Sequence, residues 1–181
     1  MDRTMCRILC STGALIGRPN GRNYRLLKDL AGQLTCDGFE FMMYDSWYDQ
    51  VDELTDYLLD LKLNVPVMHC EKKIGEAISK GTEDELETAS HLFEINCQIA
   101  EKLGAKKLVI HLWDGITSDQ NFDNNKRTYR HLADASAAHG LEKPANLAGW
   151  KREHQFCPVL RTCQKERISG YIYGRSNGFW R

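Results

Sequence analysis

The 181-residue sequence has no apolar run approaching the roughly 20 residues of a membrane-spanning helix. Its opening residues, Met1-Asp2-Arg3-Thr4-Met5-Cys6, begin no apolar stretch ahead of a small-residue cleavage site, so no secretory leader is expected. Neither charge is in excess. With 24 Lys and Arg against 25 Asp and Glu, a net of -1 argues against a general binder of polyanions. The seven cysteines include no CxxC, and Cys157 and Cys163 have no matching second pair, which disfavours a zinc ribbon or a disulfide framework. Cys6, Cys10, Cys70 and Cys97 fall in apolar or helical runs and read as small buried hydrophobes in a reducing cytoplasm. A G-x-G-x-x-G loop is also missing. Gly13, Gly17 and Gly21 have the wrong spacing for it, which counts against a dinucleotide-binding sheet. What remains, 42% hydrophobic and 27% charged residues, is the balance of a globular chain of one domain, two at most.

The first 140 residues alternate strand and helix. Apolar runs at Cys6–Ser11, Gly38–Tyr44, Val65–Cys70 and Lys107–Trp113 predict four strands. Helical spacing predicts helices over Tyr24–Thr35 and through Val51, Leu54, Leu58 and Leu61. A long helix is expected from the capping box Thr82/Glu85 to Gly104, and a fourth carries Tyr129, Leu132, Ala133 and Ser136 and stops at Gly140. Strands apolar on both faces between amphipathic helices predict a parallel sheet. The expected fold is α/β: a partial (β/α)8 barrel of about four βα units plus an irregular C-terminal tail. The preference for a barrel comes from the polar residues at successive strand ends: Ser11 and Thr12, Glu40, His69 with Glu71, and His111 with Asp114.

The composition changes near residue 140. Residues 1–140 carry a net of -6 and residues 141–181 a net of +5, and Asp is absent after Asp134. Periodicity fades there too. The reading is a first unit over 1–140 and an atypical basic tail over 141–181, poorly ordered, and either a reading-frame shift or a basic extension. Without partners for the first and fourth strands, the sheet edges are expected to be open and to favour homo-oligomers.

Val67-Met68-His69 and Val109-Ile110-His111 are matched tripeptides on consecutive strands. Alternation puts each histidine on the face of the valine two residues before it, so both imidazoles are expected to meet at one rim. Glu71 and Asp114 follow closely and are candidates to hold ligand or orient the rings, with Ser11 a further substrate contact. Glu40, between Phe39 and Phe41, must be paired or protonated if it enters the interior. Its two readings are a ligand contact and a salt bridge to Arg7. Arg18, Arg22 and Arg25 surround the first loop and are either solvated or a phosphate clamp. His91, His131 and His139 read as surface residues.

The stretches Cys36-Asp-Gly-Phe-Glu-Phe, Pro66-Val-Met-His and Leu103-Gly-Ala-Lys-Lys-Leu-Val-Ile-His over residues 6–140 resemble the xylose isomerase-like TIM-barrel superfamily. That superfamily holds sugar and sugar-phosphate isomerases and epimerases, and abasic-site nucleases of the endonuclease IV type. The resemblance implies a divalent metal (Zn, Mn or Mg) at the top of the barrel and gives Glu40, His69 and His111 catalytic or substrate roles. In the nuclease branch the two histidines are zinc ligands. The family pattern continues into a fifth strand bearing a glutamate ligand. Here Glu142 is the nearest, and Lys143 and Pro144 argue against a central strand.

The expectation is therefore a cytoplasmic, metal-dependent sugar or sugar-phosphate isomerase or epimerase, truncated and impaired, binding a small-molecule sugar and neither membrane nor nucleic acid. Two alternatives remain. One is an abasic-site phosphodiesterase, disfavoured by the acidic first 140 residues. The other is a non-catalytic half-barrel.

Overall fold

The computed structural model describes residues 7–112 and 120–142, and the backbone of 145–146. Asp114 and almost all of the tail, with Cys157 and Cys163, lie outside the described residues.

Five strands stand side by side in chain order: β1 (Leu9–Ser11), β2 (Gly38–Met42), β3 (Val67–His69), β4 (Lys107–Ile110) and β5 (Ala145–Asn146). Every neighbouring pair is parallel. The connections carry α1 (Thr12–Leu15), α2 (Leu27–Leu30), α3 (Val51–Leu61), α4 (Lys72–Lys80), α5 (Glu83–Leu103) and α6 (Phe122–Ala138). The chain is thus an α/β protein with an all-parallel sheet. No helix of the described residues is long and apolar enough to cross a membrane.

β5 corrects two expectations. Ala145 pairs with Val109 and Asn146 with Ile110, so a strand does follow the fourth helix, and this part of the β4 edge is covered. The strand begins one residue beyond Pro144, which therefore costs the ladder no N–H.

Alternation divides the strands into two faces. Phe39, Phe41, Met43, Met68, Cys70, Leu108 and Ile110 are all buried in one cluster with Leu54, Leu58, Phe93, Cys97 and Leu132 from the helices. Right-handed crossovers put the longer helices α3, α5 and α6 on this buried face, whereas Gly13 of α1 packs against Met42 of the opposite face. On the other face Glu40, Met42, Val67 and Val109 are only partly buried. Burial of Cys70 and Cys97 raises both thiols, Cys97 to about 12, so they behave as inert hydrophobes.

The capping box forms as expected, Thr82 Oγ1 accepting from Glu85 N, and Gly104 ends α5. The helix expected over Tyr24–Thr35 is instead a 3-10 turn, α2, and a second 3-10 turn ending at Gln33. α4 has no counterpart in the sequence reading. Its few apolar residues surround Gly75, a poor helix former. Packing explains that glycine, because a Cβ there would overlap the backbone carbonyl oxygen of His111. α6 starts seven residues earlier than Tyr129, the first of its periodic residues. Its first turns bury amide groups rather than hydrocarbon. Asn124 donates to Ile78 O at the end of α4 (2.8 Å), and buried Asn125 donates to Leu112 O beyond β4 (3.0 Å).

His139 is not a simple surface residue. Its Nδ1 lies 2.7 Å from Glu101 and its Nε2 lies 2.8 Å from Glu94, both on α5. The hydrogen bond to Glu101, reinforced by Glu94, raises the imidazole above its ordinary range. A raised folded-state value stabilises the fold fully below the unfolded value and loses that contribution as pH climbs through it. His139→Gln is therefore expected to lower Tm near about pH 6, with a difference that shrinks toward zero by about pH 9. Thermal melts of both proteins across this range check it. A difference constant with pH would contradict the pairing.

Candidate functional site

The polar groups at the strand ends share one face and climb across the sheet. Ser11 pairs in register with Glu40. Glu40 pairs with Val67, so His69 stands two residues further along β3. His69 pairs with Val109, so His111 stands two residues further again, just past β4. The matched tripeptides are therefore offset by two residues rather than level. The offset still brings the side chains together. Glu40 Oε1 lies 3.2 Å from His69 Nδ1, and the two imidazole centroids are 4.6 Å apart with planes tilted by 33°. The carboxylate is thus paired with His69 and not with Arg7.

His69 is 8% exposed, and the Glu40 side chain 31%. Glu40 is close to Nδ1, yet both ring nitrogens of His69 are buried without a hydrogen-bond partner among the described residues. Buried polar atoms are normally satisfied, and each unsatisfied one costs about 1–3 kcal/mol.

Other predicted residues fall around this group. Ser11 opens α1 without a side-chain cap bond, so its hydroxyl is not committed to the helix. Thr12 is fully buried and structural, its Oγ1 accepting from Met42 N (2.9 Å) and tying the end of β1 to β2. Glu71 caps α4, accepting from Lys73 N (2.5 Å), and burial raises its carboxyl. That local role accounts for Glu71 by itself. Asp114 lies outside the described residues.

The loop arginines divide. Arg25 is ion-paired with Glu53 and lies over the rings of Tyr24 and Tyr57. Arg22 lies over the ring of Tyr44 with its guanidinium carbon 4.9 Å from the centroid. Sequence reasoning did not pick out Tyr44. Its one signal is alternation, since it continues Glu40 and Met42 on the same side of the chain.

A divalent metal fits these residues only in part. Among the described residues no three His, Cys, Asp or Glu side chains come together so as to hold a metal ion. Catalytic zinc sites use three protein ligands, so this donor set is incomplete.

Comparison with known protein families and with curated proteins finds no match to the chain.

Proposed function

We propose that residues 7–146 form the first part of a xylose isomerase-like barrel and that its site acts on a sugar or sugar phosphate, as an isomerase or epimerase does. The observation that supports this most strongly is the ascending row Glu40, His69, His111 at the C-terminal strand ends, on the face opposite the buried cluster of Phe39, Phe41 and Met68. In a doubly wound sheet the strand order reverses at a switch point, and among the described strands it does not. A sheet that grows along one edge, with polar residues stepping up from strand to strand, suits the tilt and stagger of a closing barrel. The catalytic groups of such barrels gather at the same strand ends.

The chemistry follows from the pair. When His69 Nε2 takes a proton from a carbon beside a carbonyl, Glu40 next to Nδ1 stabilises the imidazolium. Before that step Nε2 of His69 accepts from a sugar hydroxyl while Nδ1 faces Glu40. His111 packs on the ring and fixes its tilt. Were a divalent metal held beside His69 and His111, it would supply charge stabilisation to a developing oxyanion.

Two results are expected of the purified chain. Turnover of a pentulose or its phosphate should be weak or absent, because the described residues hold no group of three metal-ligating side chains to stabilise a developing oxyanion. Zn²⁺ and Mn²⁺ should bind weakly, and His69→Ala with His111→Ala should weaken that binding at least about tenfold. Assays of turnover and metal titrations of both proteins test the reading. Identical metal curves remove the metal from this site. Strong turnover that survives the double substitution removes the assignment of the site itself.

A further inference from the structure

Arg22 is placed differently from Arg25. Its φ is 53°, in the left-handed region, where a residue with a side chain is strained. The backbone is held there from two sides, Arg22 N donating to Gly17 O (3.2 Å) and Arg22 O accepting from Trp47 Nε1 (3.0 Å). The side chain that this strain presents is partly buried against Tyr44. Arg25 in the same loop has its carboxylate in Glu53, whereas Arg22 has no carboxylate partner among the described residues. A strained backbone delivering a partly desolvated, unneutralised guanidinium costs stability and is expected where an anion is to be received.

The location points the same way. Tyr44 continues Glu40 and Met42 by alternation, and His69 is level with Met42. Tyr44 thus stands two residues above the His69 level, about 7 Å along the chain. That separation matches the reach from a reacting carbon to the phosphate of a small sugar phosphate. The Tyr44 hydroxyl lies 3.4 Å from where a Cβ on Gly13 would be, so the ring leans over the loop that follows Ser11.

We propose that Arg22, seated on Tyr44, binds a phosphate monoester, and that the ligand of the Glu40–His69 pair is a phosphorylated sugar rather than a free one. The inference rests on the proposed sugar reading of the site. A guanidinium offers two parallel N–H donors to a phosphate, and an aromatic face holds it flat for that contact.

Calorimetric titration of the full chain with inorganic phosphate, ribulose 5-phosphate and ribulose tests it, in the wild type and in Arg22→Gly, Arg22→Ala and Arg22→Lys. Glycine suits the left-handed backbone, so Arg22→Gly should fold at least as well as the wild type while losing the guanidinium. The expected result is a loss of at least about tenfold in affinity for phosphate and ribulose 5-phosphate in the Gly and Ala variants. Binding of ribulose should stay within about twofold, and Arg22→Lys should recover part of the loss. Ribulose 5-phosphate binding no more tightly than inorganic phosphate, with both depending on Arg22, would support the anion site and sink the sugar reading. Ribulose and ribulose 5-phosphate binding alike and indifferent to Arg22 would overturn the anion site and leave the sugar reading standing. Failure of the wild type to bind phosphate in either form also overturns the proposal.

Discussion

Gly75→Ala is expected to destabilise the protein by about 3 kcal/mol or more, although alanine is the better helix former. Two effects oppose each other. Propensity favours alanine inside α4 by about 1 kcal/mol. Against this, the new methyl group meets the carbonyl oxygen of His111, a backbone atom that cannot rotate away. Relief requires α4 to lift or the end of β4 to move. α4 is held by Asn124 of α6, and the chain beyond β4 by Asn125, so neither shift is free. A loss of this size is a large share of the 5–15 kcal/mol that holds a domain folded. Urea unfolding with unchanged slope and a lower midpoint is the expected readout. Because the methyl group pushes on His111 itself, ligand binding should fall as well. A variant as stable as the wild type would mean that α4 does not sit against β4 as described.

His69→Leu is expected to act in the opposite direction on stability, raising Tm by about 2–4 °C while abolishing ligand binding. Of the two buried ring nitrogens Nδ1 keeps Glu40 Oε1 3.2 Å away, so Nε2 carries the main cost, about 1–3 kcal/mol, which leucine removes at similar volume. Leucine gives up the contact with His111, worth about 0.5–1.5 kcal/mol for a ring pair. It also gives up the Glu40 contact, but that carboxylate is 31% exposed and can turn to water. The balance favours leucine by about 1 kcal/mol. Stability gained by deleting a polar group is the usual sign of a residue kept for function. Thermal melts decide it, and a lower Tm would show that His69 is a satisfied structural residue.

Much of this arrangement was legible in the sequence because its signals are local. Valine and histidine in alternation fixed the shared face of His69 and His111, and the Thr82/Glu85 box fixed the start of α5. The offset of two residues between the histidines was not legible, since register is set by how strands pair and not by the content of either one. α4 was hidden by Gly75, whose reason is a carbonyl on a strand 36 residues later. The first turns of α6 were hidden because their buried face is made of asparagines, which carry no hydrophobic period. Pro144 argued against a strand that begins immediately after it. Glu40 was left between Arg7 and a ligand, and its partner turned out to be the histidine of the next strand, reached on the diagonal.

The most direct test of the account is a histidine-selective NMR titration of the full chain with ribulose 5-phosphate, following the imidazole nitrogens. If Glu40, His69 and His111 form the ligand site, the resonances of His69 and His111 should shift together and saturate at one ligand concentration. Those of His91 and His131, on the helices, should stay in place. Glu40→Gln should weaken the response of both rings. Shifts confined to His91 or His131, or unmoved His69 and His111 signals at saturating ligand, would contradict a sugar-phosphate site at these strand ends.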